Sequence, residues 1–180
     1  MTTHIALLRA INVGGTKPIA MSDLRSFFGA LGFEDVRSLL QTGNIVFRGG
    51  TKTGTALERL LESEAEQRLA LSTTFIVRTA KEWEAIVAHN PFPKEAAADP
   101  AHLVALFLKD APPATSVKAL QAAIQGPEIV SLVAKQLYVA YPDGIGRSKL
   151  TITMTEKALG TSSTGRNWNT VLKIAELARA

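Results

Sequence analysis

The chain has 180 residues, enough for one ordinary domain or two small ones, and 46% of them are hydrophobic, as in folded globular proteins. It has no cysteine, which excludes disulfides, thiolate nucleophiles and cysteine-based metal sites, and its three histidines are scattered, so we expect no metal site. A net charge of +4 permits an anionic partner without demanding nucleic acid.

The first part of the chain alternates between the periodic patterns of strands and helices. In chain order it predicts a strand at 4–11, a helix at 22–32, a hairpin of strands at 36–41 and 44–49, a helix at 56–70 and a strand at 73–78. Ser22 can cap the first helix and Gly32 can end it. This order of elements is typical of a split βαβ, or ferredoxin-like, plan.

The same order of elements recurs after a short helix that is expected to reach about His89 and a segment punctuated by Pro91, Pro93 and Pro100. The later patterns predict a strand at 102–109, a helix at 115–124, a hairpin of strands at 128–134 and 136–141, a helix at 148–160, a short strand at 161–164 and a helix at 167–180. β-Branched residues at 151–153 weaken the helical pattern at 148–160.

These patterns predict an α+β fold with two ferredoxin-like (βαββαβ) subdomains in tandem and a C-terminal helix. We expect the first subdomain at 1–79, a helix with a proline-rich connector at 80–101, and the second subdomain with the terminal helix at 102–180. The repeat is one of element order, because the two halves show no repeat of individual residues.

The sequence contains no familiar catalytic signature. It lacks the glycine patterns of dinucleotide and P-loop sites and the nucleophile elbow of serine hydrolases. Glu58, Glu62 and Glu66 lie at helical spacing, where they could act as paired carboxylates, but such a stripe is typical of a solvated helix face. We therefore interpret it as solvated, and the sequence names no reaction or cofactor.

Arg9 is the first candidate ligand contact. In the predicted strand it shares one face with the apolar residues Ile5, Leu7 and Ile11. A charge among apolar neighbours needs a partner or water, because an unpaired buried charge is costly. The alternatives are a ligand, a structural ion pair and an exposed sheet face.

A second candidate follows in the loop NVGGTK. Gly14 and Gly15 allow close approach to the backbone, whose N–H groups can bind an anion beside Lys17. The alternative is a simple flexible turn.

Cations near two predicted helix starts are the third candidate. Arg147 and Lys149 flank Ser148 at one start, and Arg166 precedes the other, where Asn167 is a natural cap. Because helix N-termini are already electropositive, cations there suggest capture of an anion, unless nearby carboxylates compensate them.

Trp168 has a structural interpretation. It precedes Val171, Leu172 and Ala175 at the spacing of an apolar helix stripe, which predicts a packing anchor. Its indole N–H then needs an acceptor if it is buried.

Blocks of sequence from both halves resemble one family. The stretches LLRAINVGG, LQTGNIVF, NPFP, GRSKL and RNWNTV occur in the order seen in the domain of unknown function family 1697, from about Leu7 to Val171. The resemblance implies a bacterial, cytoplasmic protein of ferredoxin-like subdomains and supplies no reaction. By motif match, the characteristic positions of the family are Arg9, Asn12, Gly14, Gly15, Gly43, Asn44, Asn90, Ser148, Lys149, Arg166, Asn167 and Trp168. Family members commonly carry a bulkier residue where Gly165 stands, which would make the approach to Arg166 more mobile in this chain.

The function that we expect is binding of a small phosphate- or carboxylate-bearing ligand between the two subdomains. The predicted contacts are Arg9, Asn12, Gly14, Gly15, Lys17, Asn44, Ser148, Lys149, Arg166 and Asn167. Lys149 or Arg166 would fix the anionic group, the asparagines would orient it and Ser148 would donate a hydrogen bond. Whether the ligand is also a substrate stays open.

Two alternatives belong to other functional classes. Ferredoxin-like sheets can bind nucleic acid by stacking bases on aromatic residues, but aromatics are only 6% of this chain and show no such pattern. A protein-interaction or structural module without catalysis would use the polar motifs as caps and internal hydrogen bonds. In all three cases we expect a cytoplasmic protein, because no apolar run could cross a bilayer and the N-terminal residues lack signal-peptide features.

Overall fold

The computed structural model describes residues 1–12 and 18–180. These residues divide into two compact units, of which the first comprises 1–85 with 173–180 and the second comprises 86–172. Each unit contains a four-stranded antiparallel sheet, and the described residues contain seven α-helices in all. The predicted α+β class is therefore confirmed, whereas the subdomain limits at 79 and 102 stay a prediction.

The first unit is built from four strands and the two helices between them. In chain order these are β1 (Thr3–Leu8), α1 (Met21–Ala30), β2 (Glu34–Leu39), β3 (Asn44–Arg48), α2 (Gly54–Leu69) and β4 (Phe75–Thr79). The strands lie in the order β2-β3-β1-β4 and each pair is antiparallel, so β2 and β4 form the edges. All six elements match the predicted ones, with ends shifted by a few residues.

The segment that the sequence assigned to a helix and an irregular connector is more helical than expected. α3 (Ala80–Ala88) follows β4 directly, and α4 (Pro93–Ala98) and a 3₁₀ turn (Pro100–His102) follow in turn. Pro93 and Pro100 each stand in the first turn of their segment, where the missing N–H of proline costs no helical hydrogen bond. The prolines therefore begin short helical segments instead of only interrupting them.

The second unit repeats the element order of the first. Its elements are β5 (Leu103–Leu108), α5 (Ala114–Ala123), β6 (Ile129–Val133), β7 (Gln136–Ala140), α6 (Ile152–Leu159) and β8 (Ser163–Asn167), and α7 (Trp168–Arg179) continues from β8. The strand order is β6-β7-β5-β8, again antiparallel, with β6 and β8 at the edges. The predicted recurrence of element order is confirmed.

Two predicted elements of this unit are displaced. The helix expected from Ser148 begins at Ile152, because the Thr151 hydroxyl accepts a hydrogen bond from the Met154 N–H and caps the helix there. The strand expected at 161–164 lies at Ser163–Asn167, so that it includes Arg166. This second shift decides the environment of the leading site candidate.

In each unit, one face of the sheet packs against the helices of that unit and forms a hydrophobic core. In the first unit the core includes Ala6, Leu8, Ile45, Phe47, Phe75 and Val77 from strands and Leu24, Phe28, Leu57 and Leu61 from helices. In the second it includes Val104, Leu106, Leu108, Leu137 and Val139 with Val117, Leu120 and Leu159. Because side chains alternate along a strand, Arg78 and Arg166 point to the opposite face of their sheets.

Candidate functional site

Arg166 is a buried cation held on an edge strand. It lies in β8 opposite Ala105 of β5, and only 9% of the residue is exposed. Its Nη1 donates hydrogen bonds to the Thr164 hydroxyl at 2.8 Å and to the Gly165 carbonyl at 2.9 Å. Burial lowers the pKa of Arg166 to about 10, so the guanidinium stays charged at neutral pH. The expectation of a loop position at a helix start is corrected, because β8 continues through Asn167.

The residues beside Arg166 have structural tasks. The Asn167 side chain accepts a hydrogen bond from the Thr170 N–H at 3.0 Å and so caps α7, as the sequence indicates. Trp168 is buried, and its ring lies 6.2 Å from that of Tyr138. A side chain at Gly165 would place its Cβ 2.9 Å from Leu106, so a bulkier residue there would require the Leu106 side chain to shift, and the mobility of this approach stays a prediction.

Arg78 is the equivalent of Arg166 in the first unit and was not among the residues predicted from the sequence. Arg78 is the penultimate residue of β4 and pairs with Ile5, as Arg166 is the penultimate residue of β8 and pairs with Ala105. Its Nη1 donates to the carbonyl of the preceding Val77 at 2.9 Å, as Arg166 does to Gly165. An arginine inside the apolar run FIVR carries the same signal that singled out Arg9.

The electrostatic surroundings of Arg78 include two carboxylates. Burial lowers the pKa of Arg78, but the carboxylates of Glu58 and Glu82 oppose that shift. The Glu58 carboxylate lies 4.0 Å from the Arg78 guanidinium, and both side chains are almost fully buried. For Arg166 the shift is caused by burial. Equivalent positions of the two sheets thus hold two buried guanidiniums, each of which donates a hydrogen bond to the carbonyl of the preceding residue.

The predicted solvated stripe of glutamates is wrong for two of its three members. Glu58 is 1% exposed, and its Oε1 accepts a hydrogen bond from the Val77 N–H at 2.9 Å. Glu62 accepts one from the Phe75 N–H at 3.0 Å and is half-buried, whereas Glu66 is exposed. Glu58 is buried and Glu62 half-buried because α2 packs along the edge of β4, whose outward N–H groups need acceptors.

Arg9 lies just beyond the strand in which it was expected. β1 ends at Leu8, and Ala10 and Asn12 have positive φ angles of 51° and 53°, so the alternation of a strand does not continue to Ile11. Arg9 is half-buried, and its backbone is bound to the two residues before β4: its N–H donates to the Thr74 carbonyl at 3.0 Å, and its carbonyl accepts from the Thr73 hydroxyl at 2.7 Å. Arg9 is therefore not a fully buried charge on a sheet face.

Asn12 and Asn44 use their side-chain amides to hold loops. The Asn12 amide donates to the carbonyls of Ile19 and Gln41, and its oxygen accepts from the Ile19 N–H at 2.6 Å. The Asn44 amide donates to the carbonyl of Leu39 at 2.8 Å and is fully buried. Arg9, Asn12 and Asn44 thus lie at one end of the first sheet, whereas the predicted contacts Gly14, Gly15 and Lys17 lie outside the described residues.

Ser148 and Lys149 lie in the segment before α6. The Ser148 hydroxyl donates to Glu128 Oε1 at 2.6 Å and accepts from the Leu150 N–H at 3.0 Å. Lys149 is exposed and lines a small cavity of about 130 Å³ together with Gly126 and Met154. The helix begins at Ile152 and not at Ser148, so these residues do not stand at its N-terminus. Lys149 is a solvated cation, and the Ser148 side chain holds the loop through its hydrogen bonds.

The comparisons with known proteins are consistent with this architecture. The family described as "Protein of unknown function (DUF1697)" matches residues 1–138. The solved structure of SP0830, a conserved bacterial protein from Streptococcus pneumoniae, superposes with a TM-score of 0.78 at 22% sequence identity and covers 98% of each chain. That identity supports a shared fold alone. A comparison with curated proteins finds no match.

Two further observations concern the described residues only. Within 1–12 and 18–180, no helix is long and apolar enough to span a membrane. Across the same part of the chain, no group of three or more histidine, cysteine, aspartate or glutamate residues is placed to hold a metal ion.

Proposed function

We propose that this chain, which belongs to the DUF1697 family of proteins of unknown function, binds a small phosphate- or carboxylate-bearing ligand through Arg166. The observation that carries the proposal is a guanidinium only 9% exposed whose Nη1 is bound to the Thr164 hydroxyl and the Gly165 carbonyl. A buried guanidinium is costly to desolvate, and its planar set of donors matches the oxygens of phosphates and carboxylates.

Arg78 shows how an anionic group acts on a buried guanidinium at this strand position. Arg78 occupies the equivalent strand position, and Glu58 and Glu82 favour its charged form. Burial lowers the pKa of Arg166 to about 10. A bound anion would favour the charged form of Arg166 as these carboxylates favour that of Arg78.

The other predicted contacts divide into three groups, apart from Asn167, which caps α7. Lys149 is exposed and adds positive charge to the same unit, so it is suited to attract an anion without fixing its geometry. Asn12, Asn44 and Ser148 hold backbone and carboxylate partners, and we assign them to supporting the loops. Arg9 and the loop residues Gly14, Gly15 and Lys17 stay predicted contacts.

We also propose the ferredoxin-like description for each unit and a cytoplasmic location. The first rests on the order of elements, strand-helix-strand-strand-helix-strand, together with the strand orders β2-β3-β1-β4 and β6-β7-β5-β8. The second rests on the lack of cysteine, which suits a reducing compartment.

The test is a thermal-shift titration of the full chain with inorganic phosphate, pyrophosphate and succinate at constant ionic strength. A ligand that binds the folded state raises the melting temperature in a saturable way. We expect such a response in the wild type, a much weaker one in Arg166→Lys, which keeps the charge but loses the planar donors, and none in Arg166→Gln. Arg147→Gln removes an exposed cation of the same unit and serves as the matched control.

The response of the control must equal that of the wild type. No saturable response in the wild type, or an equal one in the wild type and Arg166→Gln, would reject Arg166 as an anion site. A large loss of melting temperature in Arg166→Lys that none of the three anions alters would favour the structural alternative.

A further inference from the structure

The four edge strands of the two sheets are protected to different degrees. An edge strand presents unpaired backbone N–H and C=O groups, which can pair with a strand of another molecule unless bulges, charges or side chains prevent it. The edges are β2 and β4 in the first sheet and β6 and β8 in the second. Among the described residues, β2 carries a bulge and charged side chains, β4 and β8 are bound by carboxylates, and β6 is bound by one side-chain amide.

The protection of β2 is a bulge combined with charge. Its pairing with β3 shifts between Glu34 and Arg37, and Asp35 between them has a positive φ of 49°. The Asp35 carboxylate also forms an ion pair with Arg37 at 3.1 Å. Bulges and charged side chains both hinder the addition of a further strand.

The protection of β4 and β8 comes from carboxylates. The outward N–H groups of β4 donate to Glu58 and Glu62, and the last of them, on Thr79, donates to Glu82 at 2.7 Å. In β8 the Ser163 N–H donates to Glu156 at 3.2 Å. These acceptors occupy groups that an added strand would need.

β6 is a regular strand without charge. Each of its residues pairs with β7 without a shift in register, and its sequence, IVSLV, contains no charged residue and no proline. Its first residue, Ile129, is 42% exposed, one of the few large apolar side chains on the described surface. Such an edge is suited to pairing.

The hydrogen-bonding pattern defines which groups of β6 face outward. The Leu108 N–H donates to the carbonyl of Lys135, the residue before β7. Because hydrogen bonding alternates along an antiparallel strand, Leu137 and Val139 bond to β5, whereas Gln136, Tyr138 and Ala140 bond to β6. Consequently the N–H and C=O groups of Val130 and Leu132 point away from β7. One of these four groups, the Val130 carbonyl, accepts a hydrogen bond from the exposed Gln121 side chain at 3.2 Å.

We infer that β6 is a self-association edge, at which a second copy of this chain pairs antiparallel across a two-fold axis at Ser131. In that register Val130 of each copy lies opposite Leu132 of the other, so that the outward N–H and C=O groups satisfy one another. Ile129 of each copy lies opposite Val133 of the other, which covers the exposed isoleucine with an apolar side chain.

A second copy fits this edge because the edge is self-complementary. A two-fold axis brings the same residues together from both chains, so no second sequence has to supply matching groups. The register at Ser131 places apolar residues against apolar ones at every outer pair and a small hydroxyl residue at the axis. The carbonyl bound by Gln121 has a second lone pair, so it can accept from the added strand as well.

The chain has no cysteine, which allows a clean cross-linking test. Ser131→Cys places one thiol on the axis, where residues opposite each other in an antiparallel pair have Cβ atoms about 4.5–5.5 Å apart and can approach disulfide geometry. Ser38→Cys, on the bulged edge β2, is the matched control, because Ser38 is also a half-buried serine of an edge strand. Both variants would be oxidised under identical mild conditions and followed by non-reducing electrophoresis.

Sedimentation of the cysteine-free wild type over a range of concentrations measures the association itself. Leu132→Pro removes an outward N–H that β7 does not use, so it should separate the copies while circular dichroism keeps the folded signal. In the wild type we expect the mass to rise with concentration to twice that of one chain, and in Leu132→Pro we expect no such rise. Because paired strands hold the two thiols close together, Ser131→Cys should cross-link about tenfold faster than Ser38→Cys.

A wild type that remains monomeric at all concentrations would overturn the inference, and would leave the edge to a strand of another protein or to solvent. Equal cross-linking rates in the two cysteine variants would overturn it as well, since random collisions would then explain both. The cysteine comparison still decides the question if Leu132→Pro fails to fold.

Discussion

Glu58 and Val77 are joined by a hydrogen bond of 2.9 Å between a helix side chain and the backbone of an edge strand. Glu58 belongs to α2, and the Val77 N–H points out of the sheet at β4. One turn later, Glu62 accepts from the Phe75 N–H in the same way. Two carboxylates four residues apart on α2 therefore bind two N–H groups two residues apart on β4. These bonds occupy the backbone donors of the β4 edge, so that a further strand cannot use them.

Removing the Glu58 carboxylate should destabilise the protein strongly. Glu58→Ala leaves a buried N–H without its acceptor and a buried guanidinium without the carboxylate 4.0 Å away. We expect a loss of about 3 kcal/mol in the free energy of unfolding. Urea unfolding measures it, with Glu66→Ala on the exposed face of the same helix as the control, expected within about 0.5 kcal/mol of wild type. Equal effects of the two variants would contradict the edge-closing role.

The glutamate stripe also illustrates what the sequence could predict. The spacing of Leu57 and Leu61 correctly identified a helix and its apolar face. The same spacing does not show which strand edge lies beside the helix face that carries Glu58 and Glu62. Glu58 and Glu62 stand on that flank, so their partners depend on tertiary packing, and only their residue type was visible beforehand.

Gly43 should tolerate no side chain. It has a positive φ of 81° in the hairpin turn, and a Cβ would lie 2.8 Å from both Leu8 and Ile11. Gly43→Ala is expected to cost about 2 kcal/mol or more, through backbone strain and overpacking together. Gly29→Ala is the matched control, because Gly29 is exposed in α1 with open space around it, and there alanine should stabilise by about 0.5–1 kcal/mol. Chemical unfolding of both variants tests the pair, and a stable Gly43→Ala would refute the close approach.

Asn44 should behave as a structural residue. Its buried amide donates to the Leu39 carbonyl at 2.8 Å and to the Thr42 hydroxyl at 3.1 Å. Asn44→Ala leaves that carbonyl without the amide donor, and we expect a loss of about 1–3 kcal/mol in stability. Asn169→Ala, at an exposed position of α7, should change little. If Asn44 instead served a ligand, alanine would leave the unfolding free energy of the ligand-free protein near wild type.

The candidate site was partly visible in the sequence, and the reasons for its limits are physical. Asn167 was identifiable as a cap because capping depends on a few consecutive residues. The burial of Arg166 could not be predicted in this way, because β8 ends three residues beyond the predicted strand end at 164 and has a glycine in its middle. Arg78 could have been found by the reasoning applied to Arg9, since both are arginines in apolar runs.

His4 should make the stability of the protein fall in mild acid. The ring is fully buried and stacks on Phe47 with centroids 5.4 Å apart. Burial lowers the pKa of His4 below its ordinary value of 6.5, although the Gly49 backbone and Glu82 oppose the shift. As the pH falls below 6.5, the unfolded chain takes up a proton that the folded chain resists, so stability is lost until the pH reaches the folded pKa.

The variant His4→Phe removes this titration and keeps an aromatic ring against Phe47. Urea unfolding at about pH 7.5 and about pH 5 should show a smaller difference in this variant than in wild type. His89→Gln, at an exposed position, should retain the wild-type difference. A difference in His4→Phe as large as that of the wild type would show that other groups cause the acid sensitivity.

Asn167 offers a way to separate capping from ligand binding beside Arg166. Its side chain accepts from the Thr170 N–H at 3.0 Å, so Asn167→Ala should cost about 1 kcal/mol, whereas Asn167→Asp keeps the acceptor and suits the positive helix end. The same aspartate adds a negative charge next to Arg166 in the chain, where it opposes an incoming anion. We therefore expect Asn167→Asp to retain the unfolding free energy of wild type and to weaken the thermal response to phosphate. If Asn167→Asp had the stability of the wild type and an equal thermal response to phosphate, the anion would bind away from the start of α7.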